Sequence, residues 1–330
     1  MAKKRVFSGM RPTGPLHLGH LVGALGNWAA LQDEYDCIYC AVDWHALMSE
    51  YKTPEAIREN TIDNVADWLA CGIDPERSII FVQSHVGEHV ELALALACVT
   101  PLPWVERVPT FKEQLKELKE KDVYTYAFLG YPVLQAADIL LYDAEVVPVG
   151  DDQVPHLELT REICRRFNAM MGSEALVEPQ AKLTETPRLL GLDRRKMSKS
   201  YGNFISLGEE PDAVRKKVMS MITDEKRIRK TDPGRPGICN VHSYYGAFAG
   251  DIAPKVAEEC KAAERGCVEC KEQLAEILNG VLEPIRSERK VLLDDRARIE
   301  GVLADGAEKA REIARPKMEE IRALAGFWSR

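Results

Sequence analysis

The chain has 330 residues, 45% of them hydrophobic and 29% charged, with a formal net charge of −8 at pH 7. That length allows two domains, and the balance is that of an ordinary globular protein. It excludes a disordered chain and a protein that coats nucleic acid indiscriminately.

No apolar stretch of signal-peptide length follows Met1 to Lys4, and no window reaches a membrane span. Nine cysteines are an odd number in a chain without an export signal, so free thiols, a cytoplasmic location and no membrane partner are expected.

Arg5 to Ser8 reads as a first strand, giving way to a helical pattern over Leu21 to Leu31. The turn between them holds His17, Leu18, Gly19 and His20. That places two histidines at a helix N-terminus, where backbone N–H groups favour anions. Cys37 to Val42 is a second strand, followed by a helix that Thr53 would cap and Pro54 would open, running to Leu69 before Gly72. Ser78 to Val82 is a third strand with another helix behind it. This alternation predicts an α/β fold with a Rossmann-like, doubly wound parallel sheet. The first turn, Ser8 to Gly14, lacks the glycine fingerprint of a dinucleotide site.

A charged helical insertion is expected over about 101–125, after which the chain is strongly apolar from Tyr126 to Val149. Tyr131, Gln135 and Asp138 stand at spacings of four and three within it, on one helical face. Burying a carboxylate or an amide without a partner costs on the order of 2 kcal/mol or more. Neighbouring backbone or a bound ligand must therefore satisfy them. Val146 to Val149 reads as a strand and Val154 to Phe167 as a helix, with Gly150, Asp151, Asp152 and Gln153 between. Ligands of open α/β sheets bind at such C-terminal strand edges, where a carboxylate accepts from ribose hydroxyls or caps the helix.

Lys196, Met197, Ser198, Lys199 and Ser200 follow in a polar loop flanked by Gly191 and Gly202. Two ammonium groups on flexible stems suit the oxygens of a polyphosphate. Helical patterns dominate from Pro211 on, which puts a boundary near Leu207 and divides the chain into 1–207 and 208–330. Arg215, Lys216, Lys217, Lys226, Arg227, Arg229 and Lys230 form either a local basic face or an ordinary solvated one. Cys239, Cys260, Cys267 and Cys270 follow the spacing C-x20-C-x6-C-x2-C. By spacing alone a structural zinc site leads, with an iron–sulfur cluster and unliganded thiols as alternatives.

The two motifs together resemble the paired signatures of class I aminoacyl-tRNA synthetases, His-Ile-Gly-His and Lys-Met-Ser-Lys-Ser. Phe7 to Gly14, Val42 to His45, Tyr131 to Tyr142, Val147 to Gln153 and His156 to Arg161 extend the likeness over nearly the whole chain. They narrow it to the bacterial tryptophanyl branch. The resemblance implies ATP-dependent activation of L-tryptophan and its transfer to tRNA(Trp), with Mg2+ and a homodimer. It implies catalytic roles for His17, His20, Lys196 and Lys199. ATP contacts would come from Arg11, Pro12, Thr13, Gly19, His20, Gly150, Asp151, Asp152, Leu189 and the loop Lys196, Met197, Ser198, Lys199, Ser200. Tryptophan contacts would come from Asp138, Tyr131, Gln135, Gln153, Phe7, Gly9 and His45.

For the cysteines the resemblance reverses the order, because a subset of these enzymes holds a 4Fe-4S cluster on a similar pattern, with Zn2+ then the alternative. The helical second half would read the anticodon. Two positions depart from the pattern, since many members carry glutamine at Arg11 and methionine at Gln135. Tyr131, Gln135 and Asp138 together look like the side-chain pocket of the tyrosyl enzymes. A tyrosyl-tRNA synthetase, a nucleotidyltransferase of the same fold and a non-aminoacylating tryptophan- or tRNA-binding paralogue are the rival readings.

Overall fold

In the computed structural model, residues 3–108, 124–150, 153–183, 189–197 and 199–328 are described. Strands β1 (Arg5–Met10), β2 (Asp36–Ala41), β3 (Ser78–Val82), β4 (Val146–Val149) and β5 (Gln180–Leu183) form one parallel sheet in the order β3-β2-β1-β4-β5. This is the expected α/β fold with a Rossmann-like sheet. Alternate residues leave a strand on opposite faces, so Val6, Tyr39 and Ile80 enter one core while Phe7, Cys40 and Phe81 enter another. Both faces are covered, which is why β2 and β3 read as unbroken apolar runs.

The first helix, α1, is less regular than its pattern predicts. An α turn at Leu18–His20 passes through a π turn at Leu21–Leu25 into Gly26–Leu31, with Gly23 outside helical geometry (φ −88°, ψ −105°). An extra residue in a turn of this kind re-aims the residues before it, here the histidine motif. Helix α2 (Asp43–Glu50) follows β2 at once and was not expected; two turns are too short to show a period. Helix α3 (Ala56–Ala70) opens two residues later than predicted. Thr53 and Pro54 form a preceding turn, Thr53 N–H donating to the Glu50 carbonyl at 2.9 Å, and Thr53 does not cap the helix. Gly72, at φ 90°, ends this region as expected.

Helices α4 (Glu88–Val99) and α5 (Leu102–Glu106) precede α6 (Tyr126–Leu140), whose N-cap Thr125 accepts from the Phe128 N–H. Residues 109–123, most of the anticipated charged insertion, lie outside the described residues. Helix α7 (Val154–Met171) runs a turn beyond its predicted end to a left-handed Gly172. Strand β5 was missed because its side chains are mostly exposed and show no apolar alternation.

Beyond the sheet come α8 (Pro211–Ser220), α9 (Asn240–Phe248), α10 (Ala253–Lys261), α11 (Cys267–Asp294) and α12 (Arg296–Leu324). Both cores draw on residues from either side of position 207: Leu274 and Leu278 pack with Val6 and Leu16, and Ala310 and Met318 pack with Phe7 and Phe81. Helix α11 also docks on α3 through Arg289, which donates to buried Asp67 at 2.8 Å and to Asp63 at 3.0 Å. Among the described residues no helix is long and apolar enough to cross a membrane.

Strand β3 is an edge of the sheet, and α12 lies against its backbone at Gly306. A Cβ there would collide with the Ile80 carbonyl oxygen, so the approach requires glycine. Gly306→Ala should destabilise the protein by at least about 2 kcal/mol, because the clash is with backbone and cannot be relieved by a rotamer change. Urea denaturation followed by far-UV circular dichroism measures this, and an unchanged midpoint would mean that α12 does not pack so closely.

Candidate active site

The strand order reverses between β1 and β4, and open sheets bind their ligands in the crevice at that switch point. A cavity of about 280 Å³ lies there. Phe7, Gly9 and Arg11 line it from β1 and the turn after it, Val147 and Val149 from β4, His45 from α2, and Tyr131, Gln135 and Asp138 from α6. Gln153, before α7, closes one side. All seven residues expected to contact the amino acid therefore meet in one place, together with Arg11. Ser8, Val42, Met48, Phe128, Ile139 and His156 also line the cavity without having been singled out for it.

Asp138 is 2% exposed, and its partners are neither backbone nor vacant. His45 Nε2 lies 2.8 Å from Oδ2, while Gln83 Nε2 and His89 Nδ1 each lie 2.7 Å from Oδ1. Burial pushes the carboxyl pKa up, but the hydrogen bonds and charges of His45 and His89 outweigh it and hold the group at about 2. Asp138 is thus an anion at neutral pH. A carboxylate offers about four acceptor positions, and three are taken. Sequence reasoning missed Gln83 and His89, which lie on a short turn and a helix with no motif of their own. Tyr131 OH lies 3.0 Å from His156 Nε2 at the other side of the cavity.

The two motifs, almost two hundred residues apart in the chain, are in contact. Leu18 N–H donates to the Ile205 carbonyl at 3.1 Å and Leu207 N–H to the Leu16 carbonyl at 3.0 Å, forming a bridge between His17 and Ser206. Lys199 Nζ donates to the Gly14 carbonyl at 2.8 Å. A Cβ at Gly19 would stand 3.2 Å from Met197 Sδ, so the glycine lets the lysine loop lie over the histidine turn. Pro12 is buried beneath, Thr13 N–H donates to the Arg11 carbonyl at 2.9 Å, and Leu189 packs against the core below the loop. Gly150 directly follows β4, and Lys196 is exposed and bridges to Leu190. Asp151, Asp152 and Ser198, and the side chain of Ser200, lie outside the described residues.

Residues 2–283 match the family described as "tRNA synthetases class I (W and Y)". The chain belongs to this family. It is 50% identical to the tryptophan–tRNA ligase of Thermotoga maritima, over 96% of this chain and 98% of that protein. Its identity to the tryptophan–tRNA ligase of Aquifex aeolicus is 43%, with the same coverage. Among solved structures it resembles the tryptophanyl-tRNA synthetase of Campylobacter jejuni complexed with ADP and tryptophan. That match has a TM-score of 0.88 at 31% identity and covers 98% of this chain and 100% of that one. A tyrosyl-tRNA synthetase from Archaeoglobus fulgidus, at 24% identity and a TM-score of 0.68, shares the fold.

The electrostatics of this synthetase's motif pair follow from its burial. Burial and the nearby Lys199 lower the His17 pKa to about 4, and burial with His17 lowers His20 well below its ordinary value. Both imidazoles are therefore neutral hydrogen-bonding groups at pH 7. Burial and Arg11 lower Lys199 to about 8, against the opposing pull of Asp67 and Glu50.

The four clustered cysteines line one small cavity with Arg227, whose Nη1 is 3.6 Å from Cys260 Sγ and 4.0 Å from Cys267 Sγ. Among the described residues, no three His, Cys, Asp or Glu side chains stand at the spacing that holds a single metal ion. The basic stretch is partly consumed by structure: Arg215 pairs with Glu272, Lys217 with Glu209, and Arg227 donates to the Arg265 carbonyl. Lys226, Arg229 and Lys230 remain exposed.

After burial, the charge of Arg11 is what lowers Lys199, so Arg11→Ala should raise the apparent pKa of Lys199 from about 8 part of the way toward its ordinary value. Titration of the labelled lysine by NMR tests this. An unmoved midpoint would remove Arg11 from the group that acts on the loop.

Proposed function

We infer that the chain is a tryptophan–tRNA ligase, which activates L-tryptophan with ATP and transfers it to tRNA(Trp), working in the cytoplasm as a homodimer. The observation that carries the amino-acid assignment is the ionised Asp138 at the cavity, with one acceptor position left over. Indole nitrogen is a donor only, and an anionic acceptor in a buried apolar setting is its natural partner. Phe7, Gly9, His45, Tyr131, Gln135 and Gln153 form the remaining walls.

In the first step a carboxylate oxygen of tryptophan attacks the α-phosphorus of ATP in line. A P–O bond forms, the bond to the β-phosphate breaks, and pyrophosphate leaves. No covalent nucleophile is needed from the protein, which acts by positioning and by stabilising charge. ATP enters as its Mg2+ complex. His17 and His20 donate to phosphate oxygens as neutral imidazoles, while Pro12, Thr13, Gly19, Gly150 and Leu189 shape the nucleotide's bed. Lys196 and Lys199 take up the charge of departing pyrophosphate, with Met197 anchoring the loop. Arg11 stands between the two substrates. Asp151, Asp152, Ser198 and Ser200 complete the assignment by resemblance. In the second step a terminal ribose hydroxyl of the tRNA attacks the activated carbonyl and AMP leaves.

Region 208–330 is assigned to anticodon reading, supported by the exposed cations Lys226, Arg229 and Lys230. Dimerisation is supported by apolar side chains left exposed at Val90 and Leu94 of α4 and at Leu102, Tyr124 and Tyr126. A monomer mass by light scattering would remove it. For Cys239, Cys260, Cys267 and Cys270 the reading is a 4Fe-4S cluster, with Zn2+ as the alternative. Four thiols around one cavity and a cation beside two of them suit an anionic group. When bound, the cluster would supply a covalent tie between α10 and α11.

ATP–pyrophosphate exchange with tryptophan and tyrosine in parallel tests the main assignment, and faster exchange with tyrosine would overturn it. Asp138→Asn should lower kcat/KM for tryptophan at least about tenfold, the value of a charge-assisted hydrogen bond. The anaerobically purified protein should be brown, with about four iron and four sulfide per chain. Colourless protein containing one zinc would replace the cluster by the ion.

A further inference from the structure

We propose that His89 is a positioning residue for amino-acid selection: it anchors one oxygen of Asp138 so that the other is presented to the substrate side chain. This rests on the reading that Asp138 accepts from the indole N–H.

The carboxylate is bonded asymmetrically. Oδ1 receives both Gln83 Nε2 and His89 Nδ1 at 2.7 Å, which fills its two lone pairs. Among the described residues, Oδ2 receives only His45 Nε2, at 2.8 Å. The open acceptor position therefore belongs to Oδ2. His89 is not among the cavity's lining residues; it stands one shell behind Asp138, with no exposed surface.

Its tautomer is set by its two partners. Nε2 lies 2.7 Å from the hydroxyl of Tyr142, another side chain with no exposed surface. Nδ1 faces an ionised carboxylate, which only accepts, so Nδ1 carries a proton, and in the neutral ring Nε2 accepts from the Tyr142 hydroxyl. Tyr142 in turn stacks on Phe7 at 5.5 Å and 7°, and Phe7 lines the cavity. Gln83 is held by the Trp44 N–H at 3.2 Å through its oxygen, which turns its nitrogen to Asp138. Without His89, Oδ1 keeps Gln83 alone of its two donors, and the carboxylate is less firmly fixed about its Cβ–Cγ bond, so that it can turn its open edge away from the substrate.

The test uses an analogue of tryptophan in which sulfur replaces the indole N–H, 3-benzothienylalanine. The readout is the ratio of kcat/KM for tryptophan to that for the analogue, in ATP–pyrophosphate exchange. The intact enzyme should favour tryptophan by at least about tenfold, and Asp138→Asn should abolish most of that preference. His89→Leu and His89→Gln should reduce the ratio by about fivefold or more, raising KM for tryptophan and leaving KM for ATP unchanged. His89→Asn should keep the ratio within about twofold of the intact enzyme, because its amide nitrogen can occupy the place of Nδ1. Tyr142→Phe, which removes a single oxygen, should give an intermediate ratio in a folded protein.

If Asp138→Asn leaves the ratio untouched, the acceptor reading itself falls. If Asp138→Asn collapses the ratio while His89→Leu and His89→Gln leave it intact, only the role of His89 falls. Equal losses for both amino acids in every His89 variant, Asn included, would make the residue structural and overturn the proposal.

Discussion

A buried carboxylate must be held by several donors at once, and the Asp138 site meets that demand with donors from three elements. His45 comes from α2, Gln83 from the turn after β3, His89 from α4 and Asp138 itself from α6. These segments come together at the C-terminal ends of the strands. The interaction that would create a recognition group thus also ties the walls of the cavity to one another. Unpaired, such a charge would cost several kcal/mol. Satisfied, it specifies one arrangement of four elements.

The side of the crevice that carries the two motifs is built differently. There the chain brings cations and neutral imidazoles together with few compensating anions, and the backbone ladder between 16–18 and 205–207 holds them in place. Lys199 rests on a carbonyl, a weak partner that a phosphate oxygen can displace. The lowered pKa values of His17, His20 and Lys199 come first from burial and then from the charged and titratable groups around them.

The helices after position 207 are bound into both cores, and Arg289 on α11 fastens them to α3 at Asp67. The same helix carries Cys267 and Cys270 in its first turn. A rigid rod therefore runs from the cysteine cavity to the flank of the histidine turn, where Asp67 also acts on Lys199.

Strands β1 to β4 were legible because β-branched and aromatic runs bounded by turns have few other uses in a chain of this kind. Both motifs, and the shared face of Tyr131, Gln135 and Asp138, were legible too, since helical spacing fixes which side chains lie together along one element. What no single element reveals is what approaches from another. His89 sits in an apolar helix and Gln83 in a three-residue turn, and neither has a local signature, because their role arises only when α4 and β3 pack beside α6. The π turn at Leu21–Leu25, the exposed strand β5 and the glycine contact of α12 with Ile80 belong to the same class. Local periodicity determines the elements and the chemistry they carry. Only tertiary packing decides which donors reach a buried acid, because those contacts join residues whose distance along the chain carries no information about their distance in space.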